Sequence, residues 1–502
     1  MSESKKEKDD LLARIRNGRQ MTQGEKLRLI ISLSIPSILA QISATVMFFI
    51  DAAMVGHLGE KATASIGLVE TTTWLMGGLG AAVNMGFSVQ VAHFIGANDF
   101  ESAHRVLRQS LVCALLWSLM LSIGGIAVHS YLPYWLGGTP EIARDASLYF
   151  MYIGIFGIFF QMEGLAGSML KCSGNMKVPS ALNIMMCCLD VAFNYIFIYI
   201  LNLGVVGAAY GTGVAELITA ALMLWFLLWR SDMLGIFKRE KGKVKSEEFA
   251  AAVPSDIGAD ASLRRDGMAE TNSSLFTFPF SLRDFRPTSD VVTTAFKIGA
   301  PMGLQHLLMG GAQIVSTIIV APLGTVAIAA NSLGITVESL CFMPGYGIAE
   351  AATTLVGQGI GAGQRLLTRS LAMMSVGLGI VVMTVMGVLM AVFSPELMSL
   401  MSPVDAVIAE GASVLRIEAW AEPMFAASIV CNGVFIGAGD TLKPAIMSLT
   451  SMWGVRLTLA AWLAHNHGLR GVWTAMAIEL TFRGLIFLAR FFHGGWNKKI
   501  LR

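Results

Sequence analysis

Long apolar runs separated by short polar breaks dominate the pattern of this chain. Twelve such runs fall at about 29–56, 63–91, 109–130, 147–170, 178–201, 205–230, 291–321, 326–356, 367–393, 408–437, 444–464 and 471–492. Each reaches the about 20 residues that an α-helix needs to cross the hydrocarbon core of a bilayer. None shows the ten-residue alternation of a membrane β-strand. The pattern predicts an all-α integral membrane protein with twelve transmembrane helices.

One stretch departs from the pattern. Residues 231–290 are polar, carry charges of both signs and include SDIGADASLRRDGMAETNSS. That composition predicts a flexible tether. The chain then divides into a polar tail (1–28), a six-helix lobe (29–230), the linker (231–290), a second six-helix lobe (291–493) and a short tail (494–502).

Lysine and arginine set the orientation. With the N-terminus inside, the short inner loops carry Arg105, Arg108, Lys171, Lys177, Arg365, Arg369 and Lys443, whereas the outer loops keep only Lys61, Arg144 and Arg470. Both termini are expected on the cytoplasmic side of a cell membrane. The tail MSESKKEKDDLLARIRNGRQ lacks the short apolar core of a cleavable signal.

Composition agrees. Of 502 residues, 54% are hydrophobic and 14% charged, with mean hydropathy +0.63; soluble proteins average about 25% charged. A net charge of +2 with no basic stripe gives no reason to expect a nucleic-acid partner. The six cysteines (Cys113, Cys172, Cys187, Cys188, Cys341, Cys431) form no CxxC pattern, so neither a metal knot nor a disulfide framework is expected. The absence of an HExxH motif and of a Walker loop argues against an enzyme, and no cofactor is expected.

The two halves repeat. Pro36 matches Pro301, Leu58-Gly59 matches Leu323-Gly324, Ile95-Gly96-Ala97 matches Ile360-Gly361-Ala362, Gly174-Asn175 matches Gly439-Asp440, and Pro179 matches Pro444, all offset by 265 residues. Gly204 and Gly207 match Gly468 and Gly471 at an offset of 264. Six spans per half give both halves the same orientation. They are parallel repeats about an axis along the membrane normal, with substrate expected between them.

These motifs resemble the multidrug and toxic compound extrusion (MATE) family of transporters. The match rests on Pro36, Asp51 and Gly56-His57-Leu58-Gly59, on VGQGIGAG at 356–363, and on FIGAGDTLKP at 435–444 with its first-half echo KCSGNMKVP at 171–179. The resemblance implies two six-helix lobes around a central cleft. It also implies antiport: amphipathic or cationic organic compounds leave as H+ or Na+ enters by alternating access. The setting would be a multi-pass cell membrane, the bacterial inner membrane in the first instance, with membrane lipids as surroundings and a monomer as the working unit.

Polar residues inside the spans are the candidate chemistry, because buried acids in a membrane are costly. Asn183, Cys187, Asp190 and Asn194 are spaced 4, 3 and 4 apart, which puts them on one helix face. Asp51 of the first span and Thr212 of the sixth complete a candidate cation-coupling set: Asp51, Asp190, Asn194 and Thr212. Two carboxylates close together repel, and a proton or a bound Na+ relieves that repulsion. The alternative is two separate buried carboxylates, each tied off by a local partner. The resemblance implies an acid in the first helix, an Asn and an Asp in the fifth and a Thr in the sixth; here the fifth-helix pair is reversed. In one branch of the family an acid in the seventh helix and one in the tenth hold Na+; the matching positions here are Met309 and Phe425.

Glu163, Asn183, Glu350, Glu418 and Glu422 are candidates for lining or gating the cleft; the alternative for Glu163 is a neighbouring helix that satisfies it, for Glu350 a structural bond to loosened helix ends, and for Glu418 and Glu422 an ion-pair cluster near the outer surface with Arg416 or Arg456. Pro344, Gly345 and Gly347 predict a kink before Glu350. Glu216 joins the first-lobe set or pairs locally, and Glu479 and Arg483 read as a self-neutralising i,i+4 pair. His306 lies inside the seventh span as a proton relay or a bonded core histidine. Phe156, Phe159, Phe160, Met162, Met302 and Met309 are ordinary core residues by default and candidate cleft residues otherwise. A second functional reading, a flippase for lipid-linked sugars or peptidoglycan precursors, would need cleft arginines for an anionic headgroup, and the predicted interior is acidic instead.

Overall fold

A computed structural model describes residues 2–236 and 285–498 of the chain. Most of the predicted linker, 237–284, and residues 499–502 of the last tail lie outside the described residues.

A polar helix, α1 (Ser2–Arg16), precedes the spans. The first lobe holds α2 (Gln23–Gly56), α3 (Glu60–Gly96), α4 (Phe100–Val128), α5 (Pro140–Cys172), α6 (Lys177–Tyr195) and α7 (Gly204–Trp225). Helices α6 and α7 each continue into a π-helical turn, Ile196–Ile200 and Phe226–Arg230. The second lobe holds α8 (Ser289–Val320), α9 (Thr325–Gly361), α10 (Arg365–Val392), α11 (Asp405–Glu418), α12 (Glu422–Gly437), α13 (Leu442–Thr450) and α14 (Leu457–His493). Local chemistry sets these ends. At the start of α2, Thr22 Oγ1 accepts from the Glu25 backbone N–H (3.3 Å), and the Thr22 N–H donates to Glu25 Oε2 (2.8 Å), a reciprocal cap.

Among the described residues, ten helices are long and apolar enough to cross a membrane. One of them, Leu442–His493, has 52 residues, about 78 Å at 1.5 Å per residue, far more than one crossing needs. It divides at Gly468, whose φ of 57° and ψ of −140° break the helix. Helices α11 and α12 form a further span bent by 60°. Pro423, in the first turn of α12, cannot donate the backbone bond that would continue α11. Dividing the first and joining the second gives the twelve spans of the sequence pattern, six per lobe. Pro344 sits within α9, which runs helical from Thr325 to Gly361.

The lobes meet along a seam that carries the repeat symmetry. His93 Nε2 donates to the Gly437 carbonyl (2.8 Å), and Gln358 Nε2 donates to the Cys172 carbonyl (2.8 Å). His93 and Gln358 are offset by 265 residues, as are Cys172 and Gly437. These two bonds are one contact seen twice across a pseudo-two-fold axis. At the seam α3 and α9 touch backbone to backbone. A Cβ on Gly96 would collide with the Gln358 carbonyl, and one on Gly361 with the His93 carbonyl.

The seam occupies one end of the molecule only. Gly86 faces the Ala295 backbone, Gly299 faces Ala82, and Gly347 faces Ile38, all towards the end with the Arg- and Lys-bearing loops. Last in this series, Gly78 faces the His306 ring. Further along the same helices, Gly67, Gly77 and Gly310 have no neighbouring atom within 4 Å of where a side chain would begin. Residues of α3 before Gly80 are mostly exposed or half-buried, whereas those from Phe87 to His93 are all buried. The lobes are closed at the basic end and parted at the other.

Helix α1 departs from the expectation of a polar tail. Its Leu11, Leu12 and Ile15 are buried at the closed end in a cluster with Leu29, Leu33, Met176, Ala351 and Leu355.

Candidate functional site

In the first lobe, α6 turns its polar stripe inward. Asp190 and Asn194 are fully buried, and Cys187 is buried beside them. Asn194 Nδ2 donates to Asp51 Oδ1 (2.9 Å) and to Asp190 Oδ2 (3.1 Å), so one amide bridges two carboxylates. The two carboxyls lie close enough to act on each other, and the Thr212 side chain sits beside that of Asp190, whose Oδ1 has no hydrogen-bond donor. Asp51, Asp190, Asn194 and Thr212 therefore converge from α2, α6 and α7. Asn194 Oδ1 is buried with no donor facing it. The geometry depends on a missing side chain: a Cβ on Gly211 would collide with the Asn194 amide. Asp51 is half-buried, which leaves the set in reach of the space between the lobes.

A string of acids continues from this pocket. Glu216 is buried and interacts electrostatically with both Asp190 and Glu163. Asn183, with its amide turned to suit its neighbours, donates to Glu163 Oε1 (2.9 Å) and to the Pro179 carbonyl (2.9 Å). Glu163 in turn interacts with Lys171 and Glu350. The string ends at an ion pair across the seam, Lys171 Nζ to Glu350 Oε1 (2.8 Å), with Gln41 Nε2 also on Glu350 (3.4 Å). Lys171 and Gln41 belong to the first lobe and Glu350 to the second. Thr354 Oγ1 adds a bond to the Lys171 carbonyl (3.1 Å).

The second lobe buries its acids differently. Glu338, Glu418, Glu422 and Glu479 are all at most 5% exposed. Glu479 is bound by Arg483 (2.6 Å) and by Ser451 Oγ (2.6 Å), so the i,i+4 pair forms. Arg456 acts electrostatically on Glu338, Glu418 and Glu479. Glu418 and Glu422 flank the α11–α12 bend, and none of their four oxygens has a hydrogen-bond partner in the strict geometric sense. Both are fully buried, and the Glu422 side chain packs beside Gly387 of α10. Phe425 stacks edge-on against Phe342, with ring centroids 5.5 Å apart. Among the described residues no group of three or more His, Cys, Asp or Glu side chains is arranged to hold a metal.

The other candidates scatter. His306 is exposed where the seam gives out against Gly78. Met162 is buried in the first-lobe core, and Phe156 fills the space that Gly213 leaves open. Sequence reasoning missed Lys171 and Gln41 as partners of Glu350, and missed Glu338 altogether. Glu338 lies in an apolar run, the signal that singled out Asp51. Lys171 was counted only as a loop charge, and nothing local reveals that it reaches across the seam.

Two six-helix lobes in parallel repeat, closed at one end over a set of buried acids, define a secondary transporter of the membrane. The MatE family profile matches residues 36–196 and 301–462, one copy in each lobe, and the chain belongs to this family of transporters. It is similar to the probable multidrug resistance protein NorM of Thermotoga maritima, 24% identical over 476 residues, which cover 94% of this chain and 93% of the relative. The protein of the same name from Deinococcus radiodurans is 27% identical over 481 residues, covering 93% and 95%. Among solved structures, a multidrug resistance MATE family transporter of the MOP superfamily in an outward-facing conformation superposes with a TM-score of 0.80 at 21% identity, covering 96% of this chain and all of the other. A MOP superfamily transporter from Pyrococcus furiosus, described as having a binding pocket of reverse polarity, superposes with a TM-score of 0.81 at 20% identity, covering 96% of this chain and all of the other.

Proposed function

We propose that this protein exports amphipathic, mainly cationic small molecules in exchange for H+ or Na+, and that the Asp51–Asp190–Asn194–Thr212 pocket couples the two. The observation that carries this reading is the single Asn194 amide held between two carboxylates. An amide cannot neutralise two charges, so a cation is favoured there, and oxygen donors suit a proton or a small hard cation. Loading and release change the charge in a pocket beside the cleft. Exchange follows only if the ion binds the outward- and inward-facing states with different free energy.

The lobe arrangement fits an outward-facing state. The closed end carries the basic loops, and their lysine and arginine support a cytoplasmic side for it, in a bacterial inner membrane. The Lys171–Glu350 pair and the His93 and Gln358 bonds close that end. Release of ion and opening of this seam would then belong to the same step, with the acid string Asp190–Glu216–Glu163 lying between them. The relatives named for multidrug resistance support the substrate class. An acidic interior also suits cationic cargo better than the anionic headgroup of a lipid-linked sugar.

The test is efflux of a fluorescent organic cation from reconstituted vesicles, with a pH gradient and a Na+ gradient imposed separately. Exchange driven by one of the gradients and lost in Asp190→Asn names the ion and supports the pocket. Full exchange in both Asp51→Asn and Asp190→Asn sinks the assignment.

A further inference from the structure

We infer that α1 is a strap across the seam: docked, it holds the lobes together at the closed end, and it must leave at least one lobe whenever that end opens. The inference rests on the two-state reading above, because it concerns which state α1 favours.

Helix α1 is polar overall, and its few large apolar residues are gathered in its last two turns. Leu11, Leu12 and Ile15 lie on one face at helical spacing and are each at most 3% exposed. What buries them comes from both lobes. Leu29, Ile30 and Leu33 of α2 and Met176 of the α5–α6 junction belong to the first lobe. Ala351 and Leu355 of α9 and Leu371 of α10 belong to the second. Polar bonds fix the strap to the first lobe. Lys8 Nζ donates to the Gly174 carbonyl (3.0 Å), Arg14 Nη1 pairs with Glu25 Oε1 (2.9 Å), Arg28 pairs with Glu7, and Asn98 Nδ2 donates to the Arg16 carbonyl (3.4 Å). Its contacts with the second lobe are mainly apolar, with Gln364 packed against the Gly18 backbone just beyond the helix.

That asymmetry tells how the strap works. Ala351 and Leu355 are on α9 between Glu350 and Gln358, the residues that bond Lys171 and Cys172 across the seam. Any motion that parts α9 from α2 separates the two walls of the cluster, and one short helix cannot follow both. The polar bonds keep α1 with the first lobe, so the second-lobe contacts are the ones released. A fifteen-residue helix is marginal alone in water, so its order depends on docking and is lost at modest cost.

Cys172 is a native reporter of the seam. It is 3% exposed, its carbonyl accepts from Gln358, and its thiol lies within hydrogen-bonding reach of Ser88 and Thr354, one from each lobe. Two residues on, Gly174 lies under Leu12. The experiment is peptide-resolved alkylation of the full-length protein in lipid nanodiscs, with no drug and no ion gradient, comparing the unaltered chain with Leu12→Asp, Ile15→Asp. The strap predicts labelling of Cys172 about tenfold faster, with Cys187, Cys341 and Cys431 unchanged. An unchanged Cys172 rate overturns it. If all four cysteines label faster, the fold has loosened and the milder Leu12→Ala, Ile15→Ala pair decides: faster labelling confined to Cys172 supports the strap, and equal rates reject it. Because labelling needs no transport, failure of the strap is distinguishable from failure of the antiport reading, which would appear as no gradient-driven exchange by the unaltered protein.

Discussion

In the first lobe, two carboxylates share one amide and nothing of opposite charge touches them; in the second, four carboxylates are buried around two arginines. Both arrangements put acids where a membrane protein can least tolerate them. They differ in how the charge is met. The Glu479–Arg483–Ser451 group is closed, since each charge has its counter-charge or donor inside the lobe. The Asp51–Asp190 pair is open, because a neutral amide and not a counter-charge bridges it. A closed network suits holding helices in place, and an open one suits a site that loads and unloads. The difference also tracks position: Asp51 is half-buried beside the cleft, whereas Glu418, Glu422 and Glu479 are sealed in the lobe.

The largest effect expected from this contrast is on coupling. Asp190→Asn should reduce gradient-driven efflux to the level of empty vesicles while the thermal unfolding midpoint stays near that of the unaltered protein. Because Asp51 and Asp190 act through the same amide, Asp51→Asn should lose gradient-driven efflux to the same level. Substantial exchange remaining in Asp51→Asn would mean that the two acids act separately and would break the idea of a shared pocket. The second lobe should give the mirror image. Glu479→Gln leaves Arg483 buried without its counter-charge, a loss of about 3–5 kcal/mol for a sealed pair. Its unfolding midpoint should fall by several degrees, and the protein that remains folded should still couple efflux to the ion gradient. Retained stability in Glu479→Gln would show that another buried acid of this lobe takes over the pairing with Arg483.

A smaller effect sharpens the first-lobe side. Gly211→Ala adds one methyl group where the Asn194 amide now sits. Overpacking of this kind costs about 1–3 kcal/mol, and the shift falls on the bridge between the two acids. Exchange should slow by about tenfold, with binding of the organic cation, read by fluorescence polarisation, unaltered. Weakened cation binding with coupling intact would place the methyl's effect on the cleft wall instead.

Much of this was legible in the sequence, for reasons that differ by element. The 4, 3, 4 spacing of Asn183, Cys187, Asp190 and Asn194 declares a single helix face, and a polar face in a membrane has to point inward. The offset of 265 foretold the seam symmetry, since residues at matched positions meet across an axis relating the repeats. What stayed hidden depends on partners from other helices. Lys171 reads as one more loop charge until Glu350 is seen opposite it. Glu418 and Glu422 are legible as acids inside a span, but the sequence does not show the bend between them or tell a cleft from a lobe interior. Helix α1 escaped because its composition is that of a solvated tail, and only docking against both lobes gives Leu11, Leu12 and Ile15 their role.

The smallest effect is expected at the α11–α12 bend, and it tests the comparison from its weaker side. Glu418 and Glu422 resemble Asp190 in being fully buried acids, each with at least one oxygen that no donor reaches. If burial alone made a coupling site, they would qualify. They lack the half-buried neighbour that Asp51 supplies, and Arg456 already acts on Glu418 from within the lobe. Glu418→Gln and Glu422→Gln keep shape and volume while removing a carboxylate whose oxygens have no hydrogen-bond donor, and a buried charge without such partners is costly to keep. Each should leave gradient-driven exchange within about twofold of the unaltered protein, with an unchanged or higher unfolding midpoint. Exchange lost in either variant while the fold survives would give the second lobe a coupling role of its own, and access to the cleft would no longer separate the two kinds of buried acid.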